Sequence, residues 1–145
     1  MRVLIAPDSY KGTLTSVEVA RAFAEGWHRA RPDDDVRLAP LADGGEGTLV
    51  AVEASGGWTW RETPATDPLG RPITAPWLLR ADGSAAFLEM ARASGLSLVA
   101  PGDRDAGRAT TRGTGDLLRA ALDAGIGQAA IGIGGSATTD GGAGM

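Results

Sequence analysis

Short apolar segments that run into turn-rich loops, and from there into helix signals, constrain this chain more than any other feature. Residues 2–6 form an apolar, branched run closed by Pro7, the pattern of a buried strand. A loop follows over 8–14, and Thr15 with Glu18 three positions on is a capping-box signature. Val17, Ala20, Phe23, Ala24 and Trp27 then recur at helical spacing as far as Pro32. Residues 35–41 read as a second strand, 42–47 as a Gly-rich loop, and 48–55 as a helix stopped by Gly56 and Gly57. Strand, helix, strand, helix is the order of an α/β fold with a parallel sheet. Function in such sheets gathers in loops at the carboxyl ends of strands, where both loops lie.

The middle of the chain changes character. Residues 58–63 alternate like a half-exposed strand, and Asp67-Pro68-Leu69-Gly70 is a turn. Segments 73–80 and 84–90 flank Asp82-Gly83, a two-residue hairpin signal. From 91 to 107 the pattern weakens: Leu96, Leu98 and Val99 suit a short strand or a buried turn equally. The spacing predicts a helix over 116–124, stopped by Gly125, and a buried strand over 128–133. That strand runs into the glycine-dense stretch from Gly134 to Gly144. Such a loop normally opens a helix, and none follows before Met145, so the chain is expected to be a truncated piece.

A hydrophobic fraction of 43% is that of a folded globular protein rather than a disordered one. No apolar run approaches the roughly 20 residues of a membrane span, and the first residues do not read as a signal peptide. A net charge of −4 argues against nucleic-acid and membrane-surface binding. Without cysteine there is neither a disulfide scaffold nor thiol chemistry, and one histidine, His28, makes zinc an unsuitable metal. A cytoplasmic location is the expectation.

Four loops carry the residue types that phosphate chemistry uses. In the first, Asp8, Ser9 and Lys11 (the single lysine) offer a carboxylate for Mg²⁺ or a hydroxyl proton and an ammonium for phosphate. The same residues equally make an ordinary strand-to-helix turn. In the second, Asp43, Gly44, Gly45 and Glu46 present amides to an anion near a helix start, with an acid that implies a bridging cation. The third, Arg112, Gly113 and Thr114, suits a carboxylate or phosphate, or is simply a helix cap. The last contains Gly134, Gly135, Ser136, Thr138 and Asp140, an anion cradle that is neither a Walker A loop nor a dinucleotide fingerprint.

Taken in order, Ala6-Pro7-Asp8-Ser9-Tyr10-Lys11, Ala42 to Thr48, Asp67 to Gly70, Phe87 to Ala91, Arg112 to Gly115 and Gly132 to Gly144 resemble the type-1 glycerate kinase family along the whole chain. The resemblance implies two α/β domains with the active site in the cleft between them. This chain would be the N-terminal portion: a Rossmann-like parallel sheet segment over 1–75, then the start of a second α/β domain over 76–145. It implies ATP-dependent phosphorylation of D-glycerate with Mg²⁺ and a 2-phospho product. Lys11 would stabilise the transferring group, and Asp8 or Asp43 would take the hydroxyl proton. Arg112 would pair with the glycerate carboxylate, Gly134 to Asp140 would contact phosphate, and Asp43 and Asp140 would hold the metal. The rival readings are a kinase for another small hydroxy acid, or a non-catalytic fragment that binds an anion.

Overall fold

The structure, a computed structural model, describes residues 1–145. Strand β1 (Arg2–Ile5) leads through helix α1 (Ser16–Ala30) to β2 (Asp35–Leu38), and the two strands pair in parallel, Arg2 opposite Asp35 and Ile5 opposite Leu38. This is one βαβ unit, the connection that parallel strands require. The expected capping box starts α1: Glu18 N–H donates to Thr15 Oγ1 at 3.2 Å, and Thr15 N–H donates to Glu18 Oε2 at 2.8 Å. Two of the four orphan donors at that end are thereby satisfied. Helix α2 (Thr48–Ala54) then leads into the second sheet.

Strands β3 (Trp58–Thr66), β4 (Pro72–Arg80), β5 (Ala85–Glu89) and β6 (Gln128–Gly132) form that sheet in sequence order. Neighbours are antiparallel from β3 to β5, and β6 runs parallel to β5. The parallel pair is joined through a short helix α3 (Ala91–Ser94), two 3₁₀ turns and helix α4 (Arg112–Asp123). An α/β fold was expected and is found. A division at 75/76, however, would cut β4 midway through its unbroken pairing with β3. The sheet changes between β2 and β3.

The β4–β5 hairpin forms, but around four residues rather than two. The Gly83 N–H donates to the Arg80 carbonyl, and the Asp82 carboxylate accepts from the Ser84 N–H and hydroxyl. A two-residue turn of the kind Asp-Gly suggests needs positive φ at both central positions. Asp82 does not adopt one, and only Gly83 does, at φ 75°.

The largest core cluster lies where α3 and α4 cover the second sheet: Ala65, Ala75, Trp77, Ala86, Leu88, Ala93, Leu117 and Ala121. Leu88 and Leu117 are fully buried, each contributing about 1.5–3 kcal/mol of hydrophobic stabilisation. Small alanines let α4 approach closely. Gly113 goes further, since a Cβ there would overlap the Thr66 carbonyl. The β1–β2 sheet is covered more thinly, and Leu4, Phe23 and Leu38 remain exposed. Phe23 belongs to the apolar spacing of α1 but does not join a core. No helix is long and apolar enough to cross a membrane.

Asp34, which the sequence suggests is a solvated turn residue, is buried instead. Its carboxylate accepts from the Met1 ammonium at 2.8 Å and from Trp27 Nε1 at 3.1 Å, and pairs with Arg31 Nε at 3.5 Å. Hydrogen bonds from the N-terminus and Trp27 hold this carboxyl below its usual range against the opposing effect of burial.

Candidate active site

Both βα loops of the first sheet open onto one cleft of about 530 Å³. One wall is the segment from Asp8 to Ser16, another is Leu41 to Asp43 with Glu46, Gly47 and Val50, and Arg92 and Ser97 close the floor. Parallel pairing of β1 and β2 puts their carboxyl ends side by side, which brings Asp8 and Lys11 to Asp43 across about thirty residues of sequence. Lys11 Nζ lies 3.9 Å from Asp43 Oδ2, and both side chains are mostly exposed. A pair so wet contributes little to stability. Its ammonium is available to a ligand anion.

Local hydrogen bonds shape the two loops. Asp8 Oδ1 accepts from the Ser9 N–H at 2.6 Å, and Tyr10 and Leu14 bond reciprocally through their backbones to close the Lys11 turn. Asp43 Oδ1 accepts from the Gly45 N–H at 2.8 Å, which leaves Oδ2 toward Lys11. Asp8 Oδ2 has no protein partner. No three carboxylates or histidines gather into a protein cage for a metal. Asp8 and Asp43 nevertheless fit Mg²⁺ of the kind bound by one or two carboxylates with the rest supplied by phosphates and water.

The fourth loop reaches this site through its backbone alone. Gly134 N–H donates to the Gly44 carbonyl at 2.9 Å, and a Cβ on Gly134 would meet Gly45 N at 2.6 Å. Gly135 lies against the Glu46 carboxylate, which a Cβ would approach to 2.6 Å. Gly44, Gly45, Gly134 and Gly135 thus form a seam between the two Gly-rich loops. Ser136 and Thr138 bond to each other, Oγ to Oγ1 at 2.9 Å, and line no part of the Lys11 cleft.

Three expected ligand residues lie outside this cleft. Helix α4 begins at Arg112, four residues before the periodicity predicts, so Gly113 and Thr114 lie in its first turn. Thr114 is fully buried and its hydroxyl bonds to Ser94 at 2.8 Å, joining α3 to α4. It cannot face phosphate. Arg112 is exposed outside the cleft. Asp140 is also outside it, and its carboxylate already accepts from Thr111 N–H and Oγ1, both at 2.8 Å, and from the amides of Gly142 and Gly144 at 3.2 Å. The Thr111 amide, with smaller help from the Thr111 hydroxyl and the two glycines, holds this carboxyl below its usual range despite some burial. So engaged, it caps α4.

Two residues escaped the sequence reading. Glu89 ends β5 fully buried, and its carboxylate accepts from Leu49 N–H at 2.9 Å and, more weakly, Gly47 N–H at 3.4 Å. These are orphan donors at the start of α2, whose N-cap, Gly47, has no side chain to serve them. Arg92 pairs through Nε with Glu89 Oε1 at 3.0 Å and lines the cleft. The signals were the acid inside an apolar strand, Phe87-Leu88-Glu89-Met90, and its place in one of the family-like segments, neither of which assigned it a role.

Comparison with known proteins places the chain in a family. The glycerate kinase family matches over residues 3–145. Glycerate 2-kinase of Escherichia coli K12 is 49% identical over the whole chain, and glycerate kinase of Bacillus subtilis 168 is 48% identical. The chain spans 38% of the length of each. A crystal structure of a protein named as a glycerate kinase 2, from Salmonella typhimurium LT2, superposes with a TM-score of 0.86 at 50% identity, covering all of this chain and 39% of that one. With that match running from β1 through the loop after β6, the chain belongs to the glycerate kinase family.

Proposed function

We propose that this chain supplies the N-terminal part of an ATP-dependent glycerate kinase, in which the cleft holding Lys11, Asp8 and Asp43 is where phosphate is transferred to D-glycerate. The observation that carries the reading is the convergence of one ammonium and two carboxylates on a single cleft at the carboxyl ends of two parallel strands. Phosphoryl transfer asks little covalent chemistry of a protein and much positioning and charge neutralisation. In the proposed step the glycerate hydroxyl oxygen bonds to the γ-phosphorus and the bond to the β–γ bridging oxygen breaks. ADP leaves with that electron pair, and the hydroxyl proton passes to Asp8 Oδ2.

Lys11 would balance charge on the transferring group, within reach of Asp43. Ser9 and the amides of Gly44 and Gly45 would orient phosphate, with the backbone of Gly134 and Gly135 supporting that loop from behind. Mg²⁺ would lie against Asp43 and supply neutralisation of the nucleotide phosphates. A two-domain enzyme acting in the cytoplasm, with 2-phosphoglycerate as product, belongs to the same proposal. The test is an assay of the full-length gene product with ATP and D-glycerate, the product identified by phosphorus NMR. Turnover of a different hydroxy acid but not of glycerate would overturn the substrate; 3-phosphoglycerate alone would overturn the regiochemistry.

A further inference from the structure

We propose that Arg92 binds the carboxylate of the acceptor substrate, with Glu89 as the residue that positions it. This rests on reading the Lys11 cleft as a hydroxy-acid kinase site, and it names the group that recognises the acid.

The guanidinium of Arg92 is held at one end. Its Nε is buried and ion-pairs with Glu89 Oε1 at 3.0 Å without forming a hydrogen bond. Neither terminal nitrogen has a protein partner, and the side chain, about two-fifths exposed, lines the same cleft as Lys11 and Asp8. A guanidinium lying against Glu89 in this ion pair leaves its two terminal nitrogens free as a planar fork, the geometry that matches a carboxylate. Lys11 and Arg92 are the only cations lining this cleft, against Asp8, Asp43 and Glu46. The transferring phosphoryl group and the acceptor carboxylate are both anionic, so each needs a cation of its own. The exposed point charge of Lys11 suits a moving group, and the tethered fork of Arg92 suits a fixed one.

Glu89 makes that tether specific. A fully buried carboxylate at a strand end is costly unless it is bonded. Here it is shared between the start of α2 and Arg92. The same side chain therefore sets the Gly-rich loop leading into α2 and the direction of the guanidinium. Arg112, for which the family resemblance suggested this role, lies outside the cleft.

The test is made on the full-length gene product, comparing D-glycerate with its uncharged methyl ester. Arg92→Met is expected to raise KM for glycerate about 10- to 100-fold, the worth of a charge-assisted hydrogen bond. KM for ATP should stay within about twofold, and the preference for acid over ester should vanish. Glu89→Gln also loosens the start of α2, so it is expected to raise KM for glycerate more than KM for ATP and to weaken the preference for acid over ester; an acid-to-ester ratio equal to wild type overturns the positioning role. An unchanged acid-to-ester ratio in Arg92→Met, or a rise in KM for ATP instead, overturns the assignment. Should Arg92→Met not fold, Arg92→Lys decides: a raised KM for glycerate alone supports the fork, and an unchanged one overturns it. Wild-type protein active only on another hydroxy acid would sink the glycerate reading, and the same acid-to-ester ratio on that substrate would still judge Arg92.

Discussion

Asp140, in the loop after β6, caps α4 by accepting both the backbone N–H and the hydroxyl of Thr111 at 2.8 Å. A carboxylate at a helix N-terminus satisfies orphan donors and complements the dipole. Asp140→Ala is expected to lower stability by about 1 kcal/mol, read from urea unfolding. Because the folded carboxyl titrates below its ordinary value of about 4, its stabilisation is complete above that value and lost as pH falls through the folded one. Asp140→Asn should therefore flatten the stability profile below about pH 4. An unchanged acid limb would contradict the assignment.

Asp67 ties the β3–β4 turn in the same currency. Its buried carboxylate accepts from the amides of Leu69 and Arg71 at 2.9 Å and from Arg71 Nε at 2.5 Å. Burial pushes its carboxyl up, but the bonds from Arg71 and Leu69 outweigh it and hold the group low. Asp67→Asn is expected to cost about 2 kcal/mol, measured as a lower thermal midpoint at neutral pH.

The seam between the Gly-rich loops leaves no room for a methyl group. Gly134→Ala would place a Cβ 2.6 Å from Gly45 N, and overpacking of this kind costs about 1–3 kcal/mol. Denaturant unfolding should show that loss, with kcat reduced as the Asp43 loop shifts. A fully stable and active Gly134→Ala protein would mean the two loops do not touch.

Lys11 is mostly exposed and makes only one long ion pair, so its removal should leave the fold intact. Lys11→Ala in the full-length gene product is expected to lower kcat about 10²- to 10³-fold, as loss of one transition-state donor does. An unaltered melting curve with unaltered turnover would remove Lys11 from the mechanism.

How much was legible depended on whether partners are near in sequence. The capping box of Thr15 and Glu18 is local and formed as read, and so did the βαβ order that gathers Asp8, Lys11 and Asp43 into one cleft. Asp34 misled because its partners, the Met1 ammonium and Trp27, arrive only once β1 pairs with β2 and α1 packs beside them. Thr114 misled because hydroxyls at a helix start resemble ligand groups, whereas this one points across to Ser94. Arg92 was invisible because its approach to the cleft runs through a buried Glu89 on a different element.

The scarcity of lysine acquires a practical meaning from where Lys11 stands. Within these residues the only other amine is the chain's own terminus, engaged by Asp34. Among these residues an amine-directed label would find one lysine side chain, at the mouth of the cleft. Acylation mapped at Lys11 by peptide analysis would then report how far a ligand filling the cleft shields that nitrogen.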